Sequence, residues 1–150
     1  CGTGAHPATQ LCLLAMERSL FGGCRVLDVG TGTGILAQAA YLLGATPVFA
    51  CDIEHASSVI ARRNLELDLV HLPVFTGSVR SVASGSIDFA IANLNVATLK
   101  TLAQELGRVL KPGGLRILSG FREEEEAEVA GLFGSPQARL ESGGWVSVVV

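Results

Sequence analysis

DVGTGTG, residues 28–34, sets three glycines at alternate positions between an apolar run and a helical pattern. Glycine permits positive φ and lets another group approach the main chain, and inside a regular element it costs roughly 0.5–1 kcal/mol relative to alanine. Three such residues in seven mark a place where something comes close. The candidates are a packed helix, a dinucleotide or another cofactor.

Working outward, CRVLDV (24–29) reads as a short buried strand and ILAQAAYLL (35–43) as a helix that Gly44 stops. VFACD (48–52) is a second strand, followed by a helix over 55–67 with Val59, Ile60 and Leu67 at helical spacing. A short strand near LPVF (72–75), a strand IDFAIAN (87–93), a helix over 97–110, a KPGG turn (111–114) and a strand LRILS (115–119) continue the alternation. A last helix over 123–133 begins with the acids Glu123 to Glu126, which complement the dipole of an exposed first turn. ARLE (138–141) and WVSVVV (145–150), joined through Ser142, Gly143 and Gly144, then form a hairpin. Short apolar strands alternating with helices predict a doubly wound, Rossmann-like α/β sheet, mostly parallel with an antiparallel C-terminal hairpin.

A chain of 150 residues, 49% hydrophobic and 17% charged, fits one compact domain, residues 1–150. The formal charge of -3 disfavours a protein that grips nucleic acid through a basic surface. Cys1, Cys12, Cys24 and Cys51 contain no CxxC pair, and His6, His55 and His71 are scattered. They read as reduced, mostly buried thiols of a cytoplasmic protein, with no metal site. No apolar run approaches the roughly 20 residues of a membrane helix. The start at Cys1, not Met, is what an excised portion of a longer protein would show.

In a doubly wound sheet, ligands bind beyond the carboxyl ends of the strands where the strand order reverses. The glycine loop is the first strand-to-helix turn there. A GxGxxG dinucleotide fingerprint would need glycine at position 35, which is Ile35; the glycine comes one residue early, at Gly34. No Gly-Lys-Ser/Thr phosphate loop follows either. Asp28 puts a carboxylate where it would repel a pyrophosphate but suits an ammonium or sulfonium. Asp52, at the end of the second strand, falls where a carboxylate accepts both ribose hydroxyls, with Ile53 beside it to pack on adenine. These features fit S-adenosylmethionine, although Asp52 alone also reads as a helix cap and the glycines alone as a tight turn.

The chain resembles the class I S-adenosylmethionine-dependent methyltransferases, through DVGTGTG, the acid in CDIE and the helix-KPGG-strand passage. More narrowly it is similar to the catalytic domain of the ribosomal protein L11 methyltransferase family (PrmA). GTGAHPAT (2–9) resembles that family's GTGxHxTT, IANLN (91–95) its VANIL or VANLY, and GGWV (143–146) its GEWV. The resemblance implies that Thr3, His6 and Thr9 lie over the cofactor, that Asp28, Gly30, Gly32, Gly34, Asp52, Ile53 and Asn93 bind it, and that Ser78, after Gly77, borders the adenine. Thr9 equally reads as the cap of a helix through Leu11 to Leu20, His6 as a turn residue and Ser78 as a loop cap. Ala8 departs from the family's first threonine, and the family's amino-terminal recognition domain has no counterpart in these residues.

Methyl transfer from a sulfonium is an in-line displacement that needs no protein nucleophile, so alignment and desolvation dominate. The resemblance implies that Asn93 and Leu94 carry this, the Asn93 side-chain oxygen and the carbonyls of both residues holding the hydrogens of an acceptor amine. Asn93 also reads as a plain strand-end turn residue. Leu94 and Asn95 depart from the Asn-Pro-Pro-Tyr pattern of base methylation, which further disfavours nucleic acid. The expected acceptor is an amine of a ribosomal protein; a small-molecule acceptor, or a non-catalytic binding module, is the alternative.

Overall fold

The computed structural model describes residues 4–150. Cys1, Gly2 and Thr3, with the lid role expected of Thr3, lie outside the described residues.

The elements run in the order α1 (Pro7–Ser19), β1 (Val26–Val29), α2 (Ile35–Leu42), β2 (Val48–Asp52), α3 (His55–Leu67), β3 (Val74–Thr76), β4 (Ile87–Asn93), α4 (Val96–Arg108), β5 (Leu110–Arg122), α5 (Glu126–Phe133), β6 (Ala138–Ser142) and β7 (Trp145–Val149). All seven strands join one sheet in the order β3-β2-β1-β4-β5-β7-β6, with β7 antiparallel to β5 and to β6. The expected doubly wound sheet with an antiparallel C-terminal hairpin is what forms. Its strand order reverses at β1, which pairs with β2 on one side and β4 on the other.

Alternation along the strands fills two cores. Val26, Ala50, Ile91 and Ile117 pack with Cys12, Met16, Ala37 and Ala40 of α1 and α2. Leu27, Val29, Ala90, Ala92 and Leu118 pack with Leu99, Leu106 and Val129 of α4 and α5. Strands buried on both faces need continuous apolar sequence, which is what VLDV and IDFAIAN supply. Asp28 is the exception in β1 and lies in register with Ala50 and Ile91.

Several boundaries differ from the sequence reading, three of them for a clear local reason. Helix α1 begins at Pro7, not near Leu11, because the His6 ring caps it by accepting the Ala8 amide (3.2 Å) and Pro7 suits the first turn. Helix α4 is capped by Asn95, whose Oδ1 accepts from the Thr98 amide at 2.9 Å. The KPGG segment lies inside β5, as a bulge: Ile87 pairs with Leu110 but Phe89 with Leu115. A second irregularity in β5 sits at Gly120 (φ +95), left over between the pairs Ser119↔Ser147 and Phe121↔Val146. Cys12, Cys24 and Cys51 are buried free thiols, as expected. Among the described residues no helix is long and apolar enough to cross a membrane.

Candidate ligand cleft at the switch point

Each glycine of the loop answers a different need. All three have positive φ: +72 at Gly30, +55 at Gly32 and +87 at Gly34. A Cβ on Gly34 would stand 3.3 Å from Ala61 of α3, so here the close neighbour is a helix. On Gly30 it would meet the Leu94 side chain at 2.7 Å. On Gly32 it would meet nothing within 4 Å. One glycine admits a helix, one admits Leu94, and the middle one leaves the loop bare.

The loop is stiffened from within. The amides of Gly30 and Thr31 both donate to the Cys51 carbonyl (2.9 and 3.0 Å), and the Gly32 amide donates to Oδ2 of Asp52 at 3.0 Å. The main-chain amides of Gly30 and Gly32, two residues expected to bind the cofactor, are thus engaged by the protein. Asp28 lies beneath the loop, 1% exposed, its Oδ2 accepting from the Thr31 hydroxyl (2.6 Å) and the Ala37 amide (3.1 Å). Its Oδ1 is buried with no partner. Desolvation pushes the carboxyl up to about 6; the two hydrogen bonds oppose that shift and the nearby Asp52 adds to it.

Two clefts meet above Gly30. The first, about 230 Å³, is lined by His6, Thr9, Gly32, Asn93, Gly120 and Trp145 among others. The second, about 380 Å³, is lined by Asp52, Ile53, Glu54, Gly77, Ser78 and Val79 among others. Gly30 and Leu94 border both, so the Leu94 side chain forms the wall between them. Asp52 spends one acceptor site per oxygen on the amides of Gly32 and Glu54 (both 3.0 Å), leaving further lone pairs at the second cleft. Ile53 is 77% exposed there, an apolar side chain standing in open solvent. Neither lining includes a lysine or arginine among the described residues, and the second carries two carboxylates. Such walls suit a cationic nucleoside and reject a pyrophosphate.

Most of the residues singled out from sequence converge on this place. His6, Thr9, Gly30, Gly32, Asn93 and Leu94 line the first cleft, and Asp52, Ile53 and Ser78 the second. Asp28 and Gly34 line neither; one braces the loop and the other seats α3. Thr9 is not the helix cap but a first-turn residue whose Oγ1 accepts from Asn93 Nδ2 at 3.1 Å. Ser78 does cap the short turn Val79–Ser81, accepting from the Arg80 amide, while also bordering the cleft. Trp145 and Gly120 are among the residues of the first cleft that escaped the sequence reading. Trp145 was visible in GGWV; its ring meets His6 edge-on at 4.6 Å and lies under the Arg122 guanidinium. Gly120 was visible as a glycine interrupting a strand pattern, a bulge signal.

The ribosomal protein L11 methyltransferase (PrmA) family matches residues 1–150. A ribosomal protein L11 methyltransferase of Citrifermentans bemidjiense is 43% identical over 142 residues, covering 89% of this chain and 46% of the relative. One of Brevibacillus brevis is 38% identical over 154 residues, covering 99% of this chain and 49% of the relative. The chain thus spans about half the length of these curated relatives. The crystal structure of the ribosomal protein L11 methylase from Lactobacillus delbrueckii subsp. bulgaricus superposes with a TM-score of 0.91 at 30% identity, covering 97% of this chain and 78% of that one.

Proposed function

The chain belongs to the ribosomal protein L11 methyltransferase family, and from that premise we propose that it transfers a methyl group from S-adenosylmethionine to an amine nitrogen of a ribosomal protein. The observation that carries this reading is the pair of clefts joined at Gly30, one acid-walled and one ending at Asn93 and Leu94. The residues present fit the cofactor. The bare face of Gly32 leaves room for a ligand against the loop, and the orphaned Oδ1 of Asp28 beneath it, with no lysine or arginine among the described residues of either lining, favours one carrying positive charge. When bound, S-adenosylmethionine supplies a methyl carbon made electrophilic by its sulfonium.

The protein's part is to hold and aim. Asp52 accepts the ribose hydroxyls, Ile53 packs on the adenine and Gly77 and Ser78 border it. His6 and Thr9 close the other end. Asn93 Oδ1 and the carbonyls of Asn93 and Leu94 accept the hydrogens of the incoming amine, which leaves its lone pair facing the methyl carbon and eases the positive charge that develops on nitrogen. The clefts align the reacting pair, and no residue is required as a nucleophile.

Calorimetric titration with S-adenosylmethionine and its demethylated product tests the binding half: heat is expected from both, and silence from folded protein would remove the reading. Incubation of the full-length gene product with labelled cofactor and unmodified ribosomal protein L11 tests the acceptor, and absence of label would redirect the search to small amines. Asp52→Ala is expected to weaken cofactor binding by about 1–3 kcal/mol, the scale of lost hydrogen bonds to a charged group. Unchanged affinity would remove the ribose role.

A further inference from the structure

We propose that Gly120 and Thr9 are positioning residues that together hold two of the three acceptor-facing oxygens, Asn93 Oδ1 and the Leu94 carbonyl; the proposal rests on the role given above to Asn93 and Leu94. Gly120 belongs to β5, yet its α-carbon is pressed against the end of β4. A Cβ built there would stand 2.7 Å from the Leu94 carbonyl oxygen, 2.8 Å from the Leu94 nitrogen and 2.9 Å from Asn93 Oδ1. Two of the three are main-chain atoms, which cannot rotate aside. One missing side chain therefore leaves room for both oxygens at once. The contact also favours oxygen at that end of the Asn93 carboxamide, since a glycine Cα–H is a weak donor.

The other end of the carboxamide is fixed by Thr9, whose hydroxyl accepts from Asn93 Nδ2. The mount then closes on itself. The Leu94 amide donates to the Ser119 carbonyl at 2.9 Å, and the Ser119 hydroxyl donates to the Ala8 carbonyl at 2.8 Å. The bulge that carries Gly120 is thereby tied to the helical turn that carries Thr9. Neither residue touches the cleft lined by Asp52 and Ile53.

The test compares variants of the full-length protein by two readouts, calorimetric affinity for S-adenosylmethionine and turnover with unmodified ribosomal protein L11. Gly120→Ala is expected to lower kcat about 100-fold, the scale of an ångström of misplacement, with cofactor affinity and KM little changed. Gly113→Ala is the control: the same strand and a similar φ of +79, with nothing within 4 Å of the new methyl. It is expected to leave turnover intact. Thr9→Val is expected to lower kcat about tenfold, again a cost of misplacement, and Thr9→Ser to restore it. The proposal is overturned if Gly120→Ala behaves like Gly113→Ala, if it loses cofactor affinity along with turnover, or if Thr9→Val and Thr9→Ser turn over alike. Asn93→Ala separates the two levels. If it keeps full kcat, the role of Asn93 itself falls; if it loses kcat while the Gly120 and Thr9 variants do not, only the mount falls.

Discussion

Asp28 is a carboxylate enclosed by the fold, with one oxygen engaged and one alone. Its folded pKa of about 6 lies above the usual carboxylate value of about 4, so the native state holds a proton that the unfolded chain releases. Stability from this group is therefore fully present below about pH 4 and is lost as pH rises through 6, on the order of 3 kcal/mol in all. Asp28→Asn is expected to remove that component: urea midpoints of variant and parent should diverge between pH 4 and 6 and run parallel above. Identical slopes would show that the carboxyl does not titrate there. Cofactor binding has the opposite sign, because a cationic ligand favours the ionised carboxylate. Affinity should fall as pH drops below 6 in the parent and stay flat in Asp28→Asn. The acid and its charge were legible in the sequence, and so was the site it serves. Its direction was readable only in hindsight: Asp28 shares the strand face of Val26, which packs on α1 and α2, and its bonds to Thr31 and Ala37 follow from that.

At the scale of elements, strands and helices were legible because apolar periodicity is a property of the chain itself, and the sheet-end hairpin because Ser142, Gly143 and Gly144 leave few alternatives. The misread boundaries are those where a side chain reaches past its own segment. His6 caps α1, a role that serine, threonine, asparagine and aspartate usually fill, so Thr9 was the more attractive candidate. KPGG reads as a turn in isolation, but a Cβ built on Gly114 would stand 3.1 Å from the carbonyl oxygens of both Ile87 and Asp88, and Lys111 reaches Asp88 at 3.1 Å, which holds the bulge in the sheet. Asn95 caps α4 through Oδ1, which accepts from both the amide and the hydroxyl of Thr98 at 2.9 Å. Asn95→Ala should therefore lower stability by about 1 kcal/mol, and Asn95→Asp should retain it, since both caps accept the same amide. Urea melts of the three proteins read this directly; equal midpoints would mean that α4 frays at no cost.

Across the whole molecule the sheet separates two cores that share no side chain, one under α1 and α2 and one under α4 and α5. The clefts sit beyond the carboxyl ends of β1 and β4, the paired strands at the reversal of strand order, so the elements that aim Asn93 and Leu94 are anchored in both cores. Met16 on α1 and Val129 on α5 sample the two layers, each nearly inaccessible to solvent. Met16→Ala should cost about 2–5 kcal/mol through lost burial and the cavity left behind. Val129→Ala should cost less, about 1–2 kcal/mol for two methyl groups. With a sheet between them and no common neighbour, the double variant should lose the sum to within about 0.5 kcal/mol. Chemical denaturation of the parent, both single variants and the double variant closes that cycle. A larger departure would mean that the sheet passes strain from one layer to the other. In that case substitutions in either core would also move the Asn93–Gly120 contact, and turnover would follow stability instead of following the site.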